Sequence, residues 1–148
     1  MIKDILKKFN KHKNYIFEYK SWLLLYRNKQ VTPGSLVLIY CEKDEDSLGG
    51  ISSEAFYHLP KFINAIEESM RKIYKAEKFN YLALMMVDSQ PHFHIFPRYS
   101  KPVKFEGREF LDMDWPLPVS IQRDLEINDE IGGMFKKNLT SSLSKILN

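Results

Sequence analysis

The chain has 148 residues, of which 44% are hydrophobic and 28% charged, with a formal net charge of +3. These values are ordinary for a globular protein and predict one domain with a proper core. No apolar run approaches the roughly 18 residues that span a bilayer, and the first residues lack the apolar segment of a signal peptide. The single cysteine, Cys41, excludes an internal disulfide. We therefore expect a cytoplasmic protein that does not enter a membrane.

The positive charge is concentrated at the start of the chain. Residues 1–13 contain five lysines and one aspartate, a net charge of +4, so the remaining chain carries about −1. A basic terminal helix on a nearly neutral body is more often a solvated face than a nucleic-acid surface. We do not expect nucleic acid as a partner.

The first third of the chain predicts a short helix and then a meander of strands. Apolar residues at helical spacing predict an amphipathic helix over residues 2–11. Residues 15–19 and 22–26 are rich in aromatic and aliphatic side chains, which is typical of strands. Thr32-Pro33-Gly34 indicates a turn, and Ser35 to Cys41 then predicts a buried strand.

A longer helix and a pair of strands are expected next. Ser52 or Ser53 is a candidate helix cap, and apolar spacing from Phe62 to Ile73 predicts a helix that ends near Lys75. Pro60 suits the first turn of that helix, so residues 54–59 are expected to form a separate turn. Residues 80–87 predict a strand, followed by a bend at 88–89 and a second strand that contains His92.

The last third of the chain predicts a loop with an edge strand at 105–111, and then a C-terminal helix weakened at Gly132-Gly133. The whole pattern indicates an α+β fold, with an antiparallel sheet and helices on one side. We expect residues 1–148 to form a single domain, with a basic helix at about 2–11, a core at about 14–99 and a C-terminal extension at about 100–148.

The segment from Asp88 to Tyr99 is the most informative part of the sequence, because two of the four histidines lie there two residues apart. Side chains alternate along an extended strand, so Gln90, His92 and His94 share one face. The opposite face carries Pro91, Phe93 and Ile95, and it can be buried. The polar face predicts ring and amide nitrogens presented to a cleft.

Two simpler interpretations of the histidine pair stay open. The pair could form a solvated polar face. It could also bind a metal, but a zinc site needs about three or four ligands and no second cysteine or histidine cluster exists. A metal site would therefore need distant carboxylates, and we predict none.

This segment resembles the histidine-triad family, whose signature is three histidines that alternate with apolar residues, often followed by Pro-Arg. The second and third histidines of the signature fall on His92 and His94, and Pro97-Arg98 follows. The first histidine falls on Gln90, where this chain departs from the pattern. The turn and strand from Val31 to Ile39 are also similar to the family, and the resemblance covers about residues 14–99. It extends in addition to the tail around residues 107–110.

The resemblance implies a sheet of about five antiparallel strands with a helix packed on one face. It also implies that two chains pair into a homodimer with a continuous sheet. The 20 Phe, Tyr and Trp side chains of the sequence are compatible with a partner surface, since they cannot all be assumed internal.

The resemblance further implies a nucleotidyl hydrolase or transferase that acts on a nucleoside phosphate derivative, such as a diadenosine polyphosphate or a nucleoside phosphoramidate. His92 is then the nucleophile at the α-phosphorus, through a covalent nucleotidyl-histidine intermediate, and His94 contacts phosphoryl oxygens. The mechanism requires no cofactor, although a divalent cation bound to the substrate phosphates is compatible with it. A neutral imidazole suits this role because it is a nucleophile near pH 7.

The remaining candidate site residues are Gln90, Asn80, Ser35 and Arg98. Gln90 could orient His92 or contact phosphate, but an amide cannot take up a proton near neutral pH. Asn80, Ser35 and Arg98 are candidates for nucleotide binding. Because of Gln90, the alternative function is a nucleotide-binding module with little or no turnover.

Overall fold

The structure is a computed structural model that describes residues 1–148. Its elements are four helices and seven strands, in the chain order that follows. They are α1 (Ile2–Lys8), α2 (Lys11–Asn14), β1 (Tyr15–Tyr19), β2 (Trp22–Tyr26), β3 (Leu36–Tyr40), a 3-10 turn (Leu48–Gly50), α3 (Ser53–Tyr74), β4 (Lys78–Leu82), β5 (His92–Arg98), β6 (Val103–Phe105), β7 (Arg108–Phe110) and α4 (Asp129–Leu147).

Five strands form one antiparallel sheet in the order β1-β2-β3-β5-β4, and β6 and β7 form a separate hairpin. The prediction of an α+β fold with about five antiparallel strands, a helix on one face and a C-terminal helix is confirmed. No helix is both long enough and apolar enough to cross a membrane.

The two faces of the sheet pack against different helices. On one face, alternate side chains of β2 and β3 belong to a core of 24 buried residues that includes α3 and α4. On the other face, Leu23, Leu25, Val37 and Ile39 pack against Ile5 of α1. Burial of a large apolar side chain contributes about 1.5–3 kcal/mol to folding, so both faces stabilise the sheet. The expectation that the helices lie on one side therefore holds for α3 and α4, whereas α1 covers part of the second face.

The N-terminal helix is shorter than the prediction of residues 2–11. Asn10 adopts the left-handed conformation, with φ of 51°, and its side chain accepts a hydrogen bond from the backbone N–H of Lys13. Asparagine tolerates this conformation because its short polar side chain bonds locally. The chain therefore turns between α1 and α2.

Helix α3 is one continuous helix of 22 residues, so the prediction of a separate turn before Pro60 is wrong. Ser52 caps the helix by accepting a hydrogen bond from the backbone N–H of Ala55, as expected. The indole N–H of Trp22 donates to the carbonyl of Ala55, 2.9 Å away, and joins the start of this helix to β2. Pro60 has no N–H to donate to the carbonyl four residues earlier, yet the helix continues through it.

Two further boundaries differ from the prediction. The strand expected over 80–87 ends at Leu82, and Met85 has a positive φ of 43°, which an extended strand does not allow. The edge strand expected at 105–111 is a hairpin of β6 and β7, whose turn places Glu106 and Gly107 in the left-handed region. Residues 83–89 are consequently a loop beside the histidine strand.

Candidate active site

Strand register places both histidines on the sheet face opposite α3 and α4. His92 lies across from Ile39 and His94 across from Val37, and these two apolar residues belong to the cluster under α1. Phe93 and Ile95 point to the other face and contact the main core. The predicted alternation along this strand is therefore seen in the structure.

The first histidine of the pair, His92, is almost fully buried, and its Nδ1 lies 2.7 Å from the backbone carbonyl oxygen of Gln90. A carbonyl can only accept, so Nδ1 carries the proton and donates it. In the neutral ring the lone pair is then on Nε2. No protein group pairs with Nε2, and it is not among the fully buried atoms that lack a partner. The ring presents a nucleophilic nitrogen away from the strand.

In His94 the proton is on the other ring nitrogen from that in His92. Nδ1 of His94 accepts a hydrogen bond from Nε of Arg27 at 3.1 Å. Burial, and next the positive charge of Arg27, lower the pKa of His94 to about 3, so its ring is neutral at physiological pH. The proton must then be on Nε2, which makes this nitrogen a donor. The two ring centroids are 5.0 Å apart. One ring therefore offers a lone pair and its neighbour offers an N–H.

The pair opens into a cleft of about 400 Å³, which is within the range of small-molecule sites. Its walls come from the end of α1, the residues after β2, the loop before β5 and the C-terminal segment. They are Lys8, Phe9, Arg27, Asn28, Lys29, Leu84, Met85, Met86, Val87, Asp88, Ile121 and Gln122. The ring of Phe9 is 6.2 Å from that of His92 and 5.9 Å from that of His94. An aromatic wall thus faces the two imidazoles.

Charge in this cleft favours an anion. Lys8, Arg27 and Lys29 are cationic, and Asp88, which pairs with Lys8, is the single carboxylate in the wall. A positively lined cleft with apolar walls raises the local concentration of anionic ligands. The site can therefore accept a molecule that combines phosphate groups with an apolar or aromatic part.

The side chain of Gln90 points away from this cleft. Its amide nitrogen donates to the carbonyls of Tyr40 and Lys43, at 2.7 and 3.0 Å, and its oxygen accepts from the backbone N–H of Glu45 at 3.0 Å. The side chain is buried and thereby fastens the loop that follows β3. The contact of residue 90 with His92 is made by its backbone carbonyl.

The three candidates for nucleotide binding have other partners in the structure. The hydroxyl of Ser35 donates to the carbonyl of Thr32 within the turn before β3. Arg98 forms a buried ion pair with Asp112, whose shortest N–O distance is 2.6 Å, and donates to the side-chain oxygen of Asn80 at 2.7 Å. Asn80 and Arg98 line a second cleft of about 660 Å³ beside the first, and Ile121 borders both. Their role in nucleotide binding stays a prediction.

Phe9, Arg27 and Lys29 were not expected at the site. Arg27 lies 67 positions before His94, and only the sheet order brings the end of β2 near β5. The helical spacing of Phe9 predicted that it lies on the apolar face of the N-terminal helix. Nothing in the sequence indicates which face of the sheet this helix covers. No group of three or more His, Cys, Asp and Glu side chains is arranged to hold a metal ion.

No protein-family model matches the sequence, and no curated protein matches it. Among solved structures, the chain is similar to histidine triad proteins. One from Marinobacter aquaeolei VT8 is 20% identical, with a TM-score of 0.74 and 95% of each chain covered. One from Sinorhizobium meliloti 1021 is 18% identical, with a TM-score of 0.72, over 94% of this chain and 93% of that chain.

A third similar structure is a diadenosine triphosphate hydrolase from Plasmodium falciparum, which is 14% identical. Its TM-score is 0.65, and the match covers 99% of this chain and 98% of that chain. At these low sequence identities, the structural similarity establishes the fold alone. This protein has the histidine triad fold over nearly its whole length.

Proposed function

We propose that this protein is a nucleotidyl hydrolase or transferase that acts on a nucleoside phosphate derivative through a covalent intermediate on His92. The observation that carries the proposal is the hydrogen bond from Nδ1 of His92 to the carbonyl of Gln90, because it leaves a lone pair on Nε2 beside a cationic cleft. The similar structure of a diadenosine triphosphate hydrolase supports this class of substrate, and nucleoside phosphoramidates are the second candidate class.

In the first step, Nε2 of His92 attacks the α-phosphorus. A nitrogen–phosphorus bond forms, and the bond to the leaving group breaks with its electron pair going to that group, which takes a proton from solvent. The ring becomes cationic while Nδ1 keeps its proton, and the carbonyl of Gln90 stabilises that charge. In the second step, water or another hydroxyl acceptor attacks phosphorus and releases a proton to solvent, while the nitrogen–phosphorus bond breaks with its electron pair returning to Nε2 as the lone pair.

His94 contributes a hydrogen-bond donor in this mechanism. Its Nε2–H is suited to a phosphoryl oxygen whose negative charge increases in the transition state. Loss of one such donor typically reduces the rate by about 10²–10³-fold. The side chain of Gln90 takes no part, since all its hydrogen-bonding groups are engaged with the loop after β3.

The test is the replacement His92→Ala, with diadenosine triphosphate and an adenosine phosphoramidate as substrates. We expect turnover to be abolished while nucleotide binding and circular dichroism are retained. His12→Ala is the matched control, because His12 is exposed and lies outside the cleft. Mass spectrometry after an alkaline quench, which preserves a nitrogen–phosphorus bond, should detect a nucleotidyl adduct on His92 in the unmodified protein and in His12→Ala. Equal turnover by the unmodified protein and His92→Ala would contradict the assignment.

The alternative is a nucleotide-binding module with little or no turnover, which is motivated by the absence of a histidine at position 90. Titration calorimetry distinguishes the two functions. Nucleotide binding by the unmodified protein without product or adduct would favour the binding module.

A further inference from the structure

We infer that Arg27 is the positioning residue of the site, holding His94 in the tautomer that donates a hydrogen bond from Nε2. This inference deepens the proposed function and rests on it for its catalytic consequence. Three contacts fix the guanidinium. Its Nε donates to Nδ1 of His94 at 3.1 Å, its Nη1 donates to the carbonyl of Lys29 at 2.8 Å, and its central carbon is 5.4 Å from the ring centre of Phe96.

The hydrogen bond from Nε of Arg27 to Nδ1 of His94 is compatible with only one neutral tautomer of His94. Arginine has donors and no acceptor, so Nδ1 of His94 must be the acceptor and the ring proton must be on Nε2. In the other tautomer, Nδ1 would carry a proton directed at the guanidinium, and Nε2 would present a lone pair to an anionic ligand. This second tautomer would therefore be repelled by the guanidinium of Arg27 on one side and by the anionic ligand on the other.

The environment of His94 disfavours the protonated ring, in which both nitrogens would be donors whatever the tautomer. Besides Arg27, the charged and titratable groups that act on His94 are His92 on the same strand, Asp88 in the loop before β5 and Lys8 of α1. Burial is the largest cause that lowers the pKa of His94, and of these groups Asp88 alone opposes it. A ring that stays neutral can donate from Nε2 only if the correct tautomer is selected. Arg27 makes that selection.

The orientation of His94 depends on Arg27 because the side chain of Gln90 does not contact either imidazole. In this chain the residue two positions before His92 has its side chain turned to the loop after β3, so it orients neither ring. The carbonyl of Gln90 orients His92 and the side chain of Arg27 orients His94. Each imidazole of the pair thus has one partner of its own.

The decisive experiment measures imidazole nitrogen chemical shifts by NMR in protein with ¹⁵N-labelled histidine, using His94→Gln to assign the signals. In the unmodified protein we expect His94 to be a single Nε2–H tautomer that does not titrate between pH 5 and 8. In Arg27→Met, which keeps an unbranched side chain but lacks the guanidinium and all of its donors, we expect a mixture of tautomers. The ring should also titrate at higher pH, because a cation that lowers its pKa has been removed. This readout does not require turnover, so it remains informative if the proposed function fails.

Kinetics provide the second readout. We expect Arg27→Met to lower kcat about 10- to 100-fold, which is the size of the effect when a metal-bound histidine loses the partner that orients it. Arg27→Lys keeps the charge and a donor but loses the guanidinium contacts with Lys29 and Phe96 that fix its position, so we expect only partial recovery of kcat. Lys29→Met is the matched control: it removes one positive charge from the same cleft without touching His94, and it should raise KM more than it lowers kcat. An unchanged His94 tautomer, or an unchanged kcat, in Arg27→Met would overturn the inference.

Discussion

Position 90 shows how one residue can serve the site through its backbone and the fold through its side chain. The carbonyl accepts from His92, while the amide makes three hydrogen bonds to the segment between Tyr40 and Glu45. The segment presents two carbonyls and one N–H to this side chain, and a primary amide can donate to both carbonyls and accept from the N–H. The side chain at position 90 is therefore coupled to the conformation of the loop after β3.

We predict that Gln90→Ala lowers the free energy of unfolding by about 1–3 kcal/mol, because it leaves buried backbone groups without partners. Gln90→Glu should be more destabilising at neutral pH, since a carboxylate repels the carbonyls of Tyr40 and Lys43 to which the amide now donates. Urea denaturation followed by circular dichroism measures both changes.

The backbone carbonyl of residue 90 is present in all of these variants, so folded Gln90→Ala should keep most of the turnover found for the unmodified protein. A large loss of kcat with unchanged stability would instead assign the amide to catalysis. Gln90→Asn is a suitable control, because it retains the amide but is too short to make the same bonds.

At the residue scale, the sequence predicted which face of the strand carries the two histidines but not the partners of their side chains. The spacing of His92 and His94 was enough to place them on one face, because strand alternation is a local property. Arg27 and Phe9 could not be assigned, since their contacts with the histidines depend on sheet order and on helix docking. Similarly, nothing local indicates that Arg98 is enclosed by Asp112 and Asn80.

Helix α4 offers a comparison between two adjacent glycines. A β-carbon at Gly133 would meet nothing within 4 Å, whereas one at Gly132 would lie 3.2 Å from the hydroxyl oxygen of Tyr26. That hydroxyl is buried and has no hydrogen-bond partner. The sequence indicated only that the pair weakens the helix. The structure shows that the first glycine is a packing contact and that the second is exposed.

We therefore predict that Gly133→Ala stabilises the protein by up to about 1 kcal/mol, the usual difference in helix propensity between glycine and alanine. Gly132→Ala should give less stabilisation or none, because the hydroxyl of Tyr26 must move. Combining Gly132→Ala with Tyr26→Phe should recover the gain, since the phenylalanine removes both the close contact and the unpaired group. Thermal unfolding of the three variants measures the differences, and equal effects of both single glycine changes would contradict this account.

Element types were predicted better than element boundaries. Strands β1, β2 and β3 followed from their aromatic and aliphatic content, and β5 from its alternation. The continuous helix through Pro60 was not predicted, because local rules place proline in the first turn of a helix, whereas Leu59 and Phe62 on either side of it pack into the main core. The early end of β4 was missed since the apolar run continues to Val87, although Met86 and Val87 are 81% and 90% exposed.

At the scale of the whole molecule, the sheet has two different edges. On the β1 side, the hydroxyl of Thr140 in α4 donates to the backbone carbonyl of Ile16. On the other side, β4 has no strand beside it. Six of the 13 exposed large hydrophobic side chains lie in the two segments that follow β4 and β7, namely Leu84, Met86, Val87, Leu111, Met113 and Leu117. An open strand edge near exposed apolar side chains is a common site of association.

We propose that two chains pair into a homodimer through this side of the sheet. Light scattering on a dilution series into the micromolar range should give twice the monomer mass of 17.5 kDa. Met86→Lys combined with Val87→Lys should shift the equilibrium towards monomer without loss of fold, because both side chains are exposed in the single chain. Tyr57→Lys on α3 is the control, since Tyr57 is also highly exposed but lies on another surface. A constant mass of one chain throughout the series would exclude the dimer.

The position of Phe9 has a consequence for how this protein could acquire new substrates. The groups assigned to bond making come from β5 and from the residues after β2, whereas α1 supplies one wall of the cleft and is set off from α2 by the left-handed residue Asn10. Substitution of Phe9 would therefore change the shape of the cleft without removing any of these groups. Its neighbour Lys8 is different, because its charge contributes to lowering the pKa of His94, so a change there would alter both the wall of the cleft and the imidazole behind it.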